Sequence, residues 1–178
     1  MSRKFWAAVA LQILILLLII ALHSFTLLTG RPVLLKTAPI DPWDPFRGEY
    51  VRLTYEISRL ETTLPMTGWP YESGQRVWVT LRRGDPFWSA VAVSDRRPGT
   101  GPDEVAVRGR ILWTELPGEG RPGHINLRYG IEQFYVPEGQ GRELEGKVVE
   151  MTIEAMVDST GRAALRTVYL EGKPIEWR

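Results

Sequence analysis

Residues 149–170 read VEMTIEAMVDSTGRAALRTVYL. Val149, Met151, Ile153, Ala155 and Val157 alternate with Glu150, Thr152 and Glu154. Successive side chains of an extended chain point to opposite sides, so a period of two puts the apolar set on one face of a strand. Asp158-Ser159-Thr160-Gly161 then supplies turn chemistry: a carboxylate that can bind nearby backbone amides, and a glycine that accepts positive φ. Residues 162–170 return as a second strand. The unit is a β-hairpin with one apolar face.

The same pattern repeats upstream. In residues 49–57, Val51, Leu53, Tyr55 and Ile57 share a face, with Tyr50, Arg52, Thr54 and Glu56 opposite. Val77, Val79 and Leu81 alternate with Trp78, Thr80 and Arg82, and residues 87–93 form a mixed apolar strand. Val105, Val107, Gly109, Ile111 and Trp113 share a face, with Arg108 and Arg110 opposite. Residues 125–136 read as one strand interrupted or bulged at Gly130. Turns fall at 83–86, 98–102 and 117–123, and the one helical segment expected here is short, near 142–146. Roughly seven to nine short strands with turns between them predict a mainly β domain, a small β-barrel or a two-sheet β-sandwich. Trp78, Trp88 and Trp113, on strands, are expected to pack. Trp43 and Trp69, flanked by proline, are expected to be exposed, where they would stack on sugars.

All 13 prolines and 17 glycines of the 178-residue chain lie beyond residue 28. Residues 5–28, FWAAVALQILILLLIIALHSFTLL, carry no acidic or basic side chain apart from His23. A hydrocarbon core of about 30 Å needs about 20 apolar residues in a helix, so this run predicts a single transmembrane helix in contact with the bilayer. A cleaved signal peptide would show a shorter apolar region and a small-x-small exit, whereas Phe25, Leu27 and Leu28 continue the run. An uncleaved anchor is therefore expected. Arg3 and Lys4 place the N-terminus in the cytoplasm and the rest of the chain outside it. Gln12, inside the run, is a polar group able to bond another membrane helix. The expected organisation is a cytoplasmic tip and anchor over 1–29, a proline-rich link over 30–47 and an extracytoplasmic β domain over 48–178.

After residue 28 the chain holds 20 basic and 21 acidic side chains, a balance that gives no overall pull toward nucleic acid. There is no Cys, which excludes disulfides and thiol catalysis. One His beyond the anchor, His124, and no Cys do not make a usual zinc set. No cofactor motif is present: neither a phosphate-binding P-loop nor G-x-G-x-x-G occurs. Serine–lysine catalysis lacks its parts, since no Ser lies between Arg31 and Val51 and the lysines beyond the anchor are Lys36, Lys147 and Lys173.

Two stretches stand apart from this grammar. The first is Asp41-Pro42-Trp43-Asp44-Pro45-Phe46-Arg47-Gly48-Glu49-Tyr50-Val51-Arg52-Leu53-Thr54-Tyr55. Pro42 and Pro45 push Asp41 and Asp44 toward extended conformations, and Gly48 permits a sharp turn into the following strand. One reading is a rigid turn feeding a strand whose tyrosines pack; the other is a carboxylate cluster of Asp41, Asp44 and Glu49 that binds a cation or a basic group, with Tyr50 and Tyr55 on opposite faces so that one can be core and the other can present a hydroxyl. The second stretch, residues 129–145, sets Tyr129, Glu132, Tyr135, Glu138, Arg142 and Glu143 around a glycine-rich turn. Loops on rigid β scaffolds carry binding residues, so the two stretches are the candidate functional surface and should meet in space.

Together the two stretches resemble the GDYXXLXY family of bacterial membrane-anchored proteins. The signature matches at Gly48, Tyr50, Leu53 and Tyr55 and departs at Glu49, where the family has Asp. The preceding D-P-x-D-P and the later Y-G-I-E-x-F/Y-x-V-P-E-G-x-G-R-x-L-E are similar as well. The resemblance implies a single-span anchor in the inner (plasma) membrane, an extracytoplasmic, periplasmic domain and a multi-pass membrane protein as partner. The expectation is a non-enzymatic accessory or binding protein. The alternative is a cell-envelope hydrolase or glycan-binding module using a carboxylate and aromatic groove.

Overall fold

The structure is a computed structural model that describes residues 3–39, 50–118, 120–135 and 147–175. A single α-helix, α1 (Arg3–Thr29), opens the chain. It is long and apolar enough to cross a membrane, at about 40 Å for its 27 residues. Gly30 turns the chain directly from α1 into β1 (Arg31–Lys36).

The remaining strands are β2 (Tyr50–Arg52), β3 (Arg59–Glu61), β4 (Met66–Thr67), β5 (Arg76–Arg82), β6 (Ser89–Ser94), β7 (Glu104–Glu115), β8 (His124–Arg128), β9 (Gln133–Tyr135), β10 (Met151–Val157), β11 (Ala163–Leu170) and β12 (Lys173–Pro174). They build three sheets. A six-stranded sheet, in the order β3, β8, β7, β5, β6, β4, curls into a half-barrel. A second sheet has the order β1, β10, β11, β12, and β2 pairs with β9 as a separate ribbon. One apolar cluster joins all of them, from Val33, Leu35 and Ile153 to Val77, Val79, Ile111 and Ile125. The mainly β architecture read from the alternating segments is therefore present as a half-barrel with a second sheet.

Residues 31–36, read from the sequence as link, form a strand. Pro32 hides this, but β1 is the outer strand of its sheet, where a missing N–H costs no ladder bond. Val33 and Leu35 are fully buried. The segment read as one strand over 49–57 is broken: β2 ends at Arg52, Tyr55 bridges Thr37, and Glu56–Ser58 is a 3₁₀ turn. The apolar face survives the break, because Leu53, Tyr55 and Ile57 all reach the core. Residues 125–136 do divide at Gly130, whose φ is +88°.

Trp113 is a correction. Parity placed it beside Ile111 in the core, yet it is 48% exposed. The register of β7 against β8 shifts between Ile111 and Trp113. One extra residue in a bulge reverses every later side chain. Trp69, expected in solvent, is half-buried and packs edge-on against Tyr71 with ring centroids 5.6 Å apart. Trp43 and the short helix expected near 142–146 lie outside the described residues.

Candidate functional site: where the two signature stretches meet

The two stretches meet. β2 and β9 pair antiparallel, with Tyr50 opposite Tyr135, Val51 opposite Phe134 and Arg52 opposite Gln133. The pairing continues past the ribbon, where the Leu53 amide donates to the Glu132 carbonyl at 2.8 Å.

Two tyrosines then exchange hydrogen bonds between the stretches. The Tyr55 hydroxyl donates to the carbonyl of Ile131. The Tyr129 hydroxyl donates to the carbonyl of Ile57 at 2.6 Å. Tyr55 is 0% and Tyr129 7% exposed. Burial, followed by the negative charge of Glu132, raises the pKa of both phenols well above the ordinary tyrosine range, so both are held as neutral donors. Glu132 has its own internal role. Its carboxylate accepts the amides of Tyr129 and Gly130, the latter at 2.9 Å, and so closes the left-handed turn at Gly130.

Around this lock the backbone is tied at further points. The Ala38 amide donates to the Thr54 carbonyl at 2.7 Å. The buried Thr37 hydroxyl lies 2.6 Å from each of the carbonyls of Val148 and Met151. Its single proton serves one of them at a time.

Of the candidates read from the sequence, Tyr55, Tyr129 and Glu132 are therefore gathered at one place, the two hydroxyls buried and the carboxylate bonded to the backbone of its own turn. Tyr50 and Tyr135 are register partners in the ribbon. Asp41, Asp44, Glu49, Glu138, Arg142 and Glu143 lie outside the described residues, as does Gly48. Among the described residues no group of three or more His, Asp or Glu side chains is placed to hold a metal ion.

A second constellation escaped the sequence reading. Thr26, in the last turn of α1, is buried and donates its hydroxyl to Asp158 Oδ2 at 2.6 Å. Asp158 Oδ1 accepts the Thr160 amide at 2.8 Å, the Thr160 hydroxyl at 2.7 Å and the Arg162 amide at 3.1 Å. Gly30 completes the junction. Its amide donates to the Thr26 carbonyl at 3.0 Å, and a Cβ there would sit 2.6 Å from that oxygen. The apolar helix thus passes into the β domain through a fixed joint. A Thr at a helix end and an Asp opening a turn are each ordinary, and no local pattern links residues 132 positions apart.

Burial alone would raise the Asp158 pKa, but the hydrogen bonds from Thr26, Thr160 and Arg162 outweigh it, and the net shift is downward. A depressed carboxylate pKa contributes stability that is present above the unfolded value and lost as pH falls through the folded one. The Tm of the full chain should therefore drop more steeply below about pH 4 than that of Asp158→Asn, which has no charge to lose. Parallel Tm–pH curves for the two proteins would contradict this role.

A family model described as GDYXXLXY protein matches residues 12–168. No curated protein and no solved structure matches the chain.

Proposed function

We propose, from the premise that the chain belongs to the GDYXXLXY protein family, that it is a membrane-anchored accessory protein that binds a multi-pass membrane partner. In this reading α1 crosses the bacterial inner membrane with Arg3 and Lys4 on the cytoplasmic side. The β domain stands on the other side and does no chemistry of its own.

One observation carries the reading: β2 and β9 pair with Tyr50 opposite Tyr135. Residue 49 attaches immediately before Tyr50 and residue 136 immediately after Tyr135, so the two points of attachment are neighbours at one end of the ribbon. In this reading the polar residues of both stretches, Asp41, Asp44 and Glu49 with Glu138, Arg142 and Glu143, supply the partner-binding groups at that place. The buried tyrosine exchange holds that place rigid. The Thr26–Asp158 joint supports the same reading, since a rigid joint keeps such a surface at a constant height above the bilayer, where a membrane partner can meet it.

The test is site-specific photo-crosslinking of the full chain in its native membranes. A photoreactive side chain replacing Gln133, exposed on β9, is expected to capture a multi-pass membrane protein. The same probe replacing Lys173, exposed on β12, is expected to capture none. Identical adducts from both positions, or none from Gln133, would refute the proposal.

A further inference from the structure

The outer face of the half-barrel carries arginines in register on three adjacent strands. Arg76 on β5 is opposite Arg110 on β7, and Arg110 is opposite Arg128 on β8. Arg108, two residues before Arg110, is opposite Trp78 and holds its guanidinium 4.9 Å from that ring. Arg97 approaches the same ring at 5.8 Å. These five arginines are exposed, and none of them forms an ion pair among the described residues. Of the acids on neighbouring strands, Glu104 pairs with Arg82 at 2.8 Å. Like charges directly opposite on neighbouring strands destabilise a sheet, so a row of three calls for an anion. Guanidinium groups suit phosphate in particular, through paired N–H donors.

The position of the face selects the anion. Asp158, bonded to Thr26 at the end of α1, opens the turn that closes at Gly161. The Gly161 carbonyl accepts the Arg108 amide at 2.8 Å, and Gly161 lies against the Trp78 ring. Trp78 and Arg108 are thus one short turn from the point where the apolar helix ends. Arg110 follows about 7 Å further along β7, at the usual strand rise, a distance comparable to the screening length of about 8 Å at physiological ionic strength. Tryptophan with arginine at that height is the composition of a headgroup-facing surface.

We infer that Arg76, Arg108, Arg110 and Arg128, with Trp78, bind the phosphate groups of anionic phospholipids in the leaflet from which α1 emerges. The occupant is the protein's own membrane, and the contact would set the tilt of the domain over it. The experiment is native mass spectrometry of the full chain in detergent, titrated with phosphatidylglycerol or phosphatidylcholine. The variant R76Q/R110Q/R128Q is compared with K36Q/R121Q/K173Q, which removes the same charge elsewhere. Apparent affinity for phosphatidylglycerol should fall by about tenfold or more in the first variant only, with phosphatidylcholine unaffected. Far-UV circular dichroism and Tm verify that both variants are folded. If the first variant does not fold, raising the ionic strength on the wild-type chain should remove the preference for phosphatidylglycerol. Equal binding by all three proteins would overturn the inference. So would an acidic protein held by this face while lipid binding stays unchanged.

Discussion

Tyr55→Ala is expected to lower the stability of the protein by about 3–5 kcal/mol, the range for removing a large aromatic side chain from a packed core. Tyr55 has no exposed surface and packs with Leu53, Ile57 and Ile131 in the central cluster. Tyr55→Phe separates the hydroxyl from the ring. It removes the donor to the Ile131 carbonyl and leaves that oxygen buried without its partner, at a cost of about 1–3 kcal/mol. Because Tyr129 makes the reverse bond to Ile57, the double variant Y55F/Y129F should depart from additivity by about 0.5 kcal/mol or more. Denaturant unfolding of the full chain in detergent, followed by tryptophan fluorescence, measures all three. A Tyr55→Phe change within about 0.5 kcal/mol of wild type would mean that the hydroxyl does not hold the two stretches together.

Gly161→Ala should be nearly as damaging, for a different reason. The φ of Gly161 is +78°, where an L side chain costs about 1–2 kcal/mol. A Cβ there would also stand 2.3 Å from Trp78 Cζ3 and 3.1 Å from the Ala106 carbonyl oxygen. Moving a packed indole adds about 1–3 kcal/mol. Gly172 provides the control. Its φ is +77° but nothing lies within 4 Å of its virtual Cβ, so Gly172→Ala should cost about 1–2 kcal/mol from the backbone alone. Equal losses at the two glycines would show that contact with Trp78 carries none of the effect. Any repacking at Gly161 should also reach the joint with α1, since the same turn holds Asp158 against Thr26.

Period-two alternation was enough to read the strands of the 149–170 hairpin, the long strand through Val105 and Val107, and the break at Gly130. Each of these depends on neighbours a few residues apart. The apolar run over 5–28 was legible for the same reason. The meeting of the two signature stretches could be expected only because neither held a complete site; that the hydroxyls of Tyr55 and Tyr129 would each bond a backbone carbonyl of the other stretch was not in the pattern. A tyrosine on an apolar face reads the same whether its hydroxyl meets water or a backbone carbonyl.

Composition and local period by themselves determined the apolar helix, the mainly β class and the places where the chain turns; the resemblance carried by the two stretches, and not any periodicity, pointed to the GDYXXLXY family, whose model matches residues 12–168. Tertiary structure alone decided the rest. A bulge in β7 turned Trp113 outward, because one unpaired residue reverses the parity that sequence reading relies on. Pairing of β5, β7 and β8 aligned Arg76, Arg110 and Arg128, which sequence separates by 34 and 18 positions. The fold also brought Asp158 to Thr26. The physical reason is common to all three: side-chain periodicity is set by backbone geometry within a single strand or helix, whereas register between strands is set by closing long loops around a shared core. That closure is a property of the whole chain and leaves no mark on a short stretch of it.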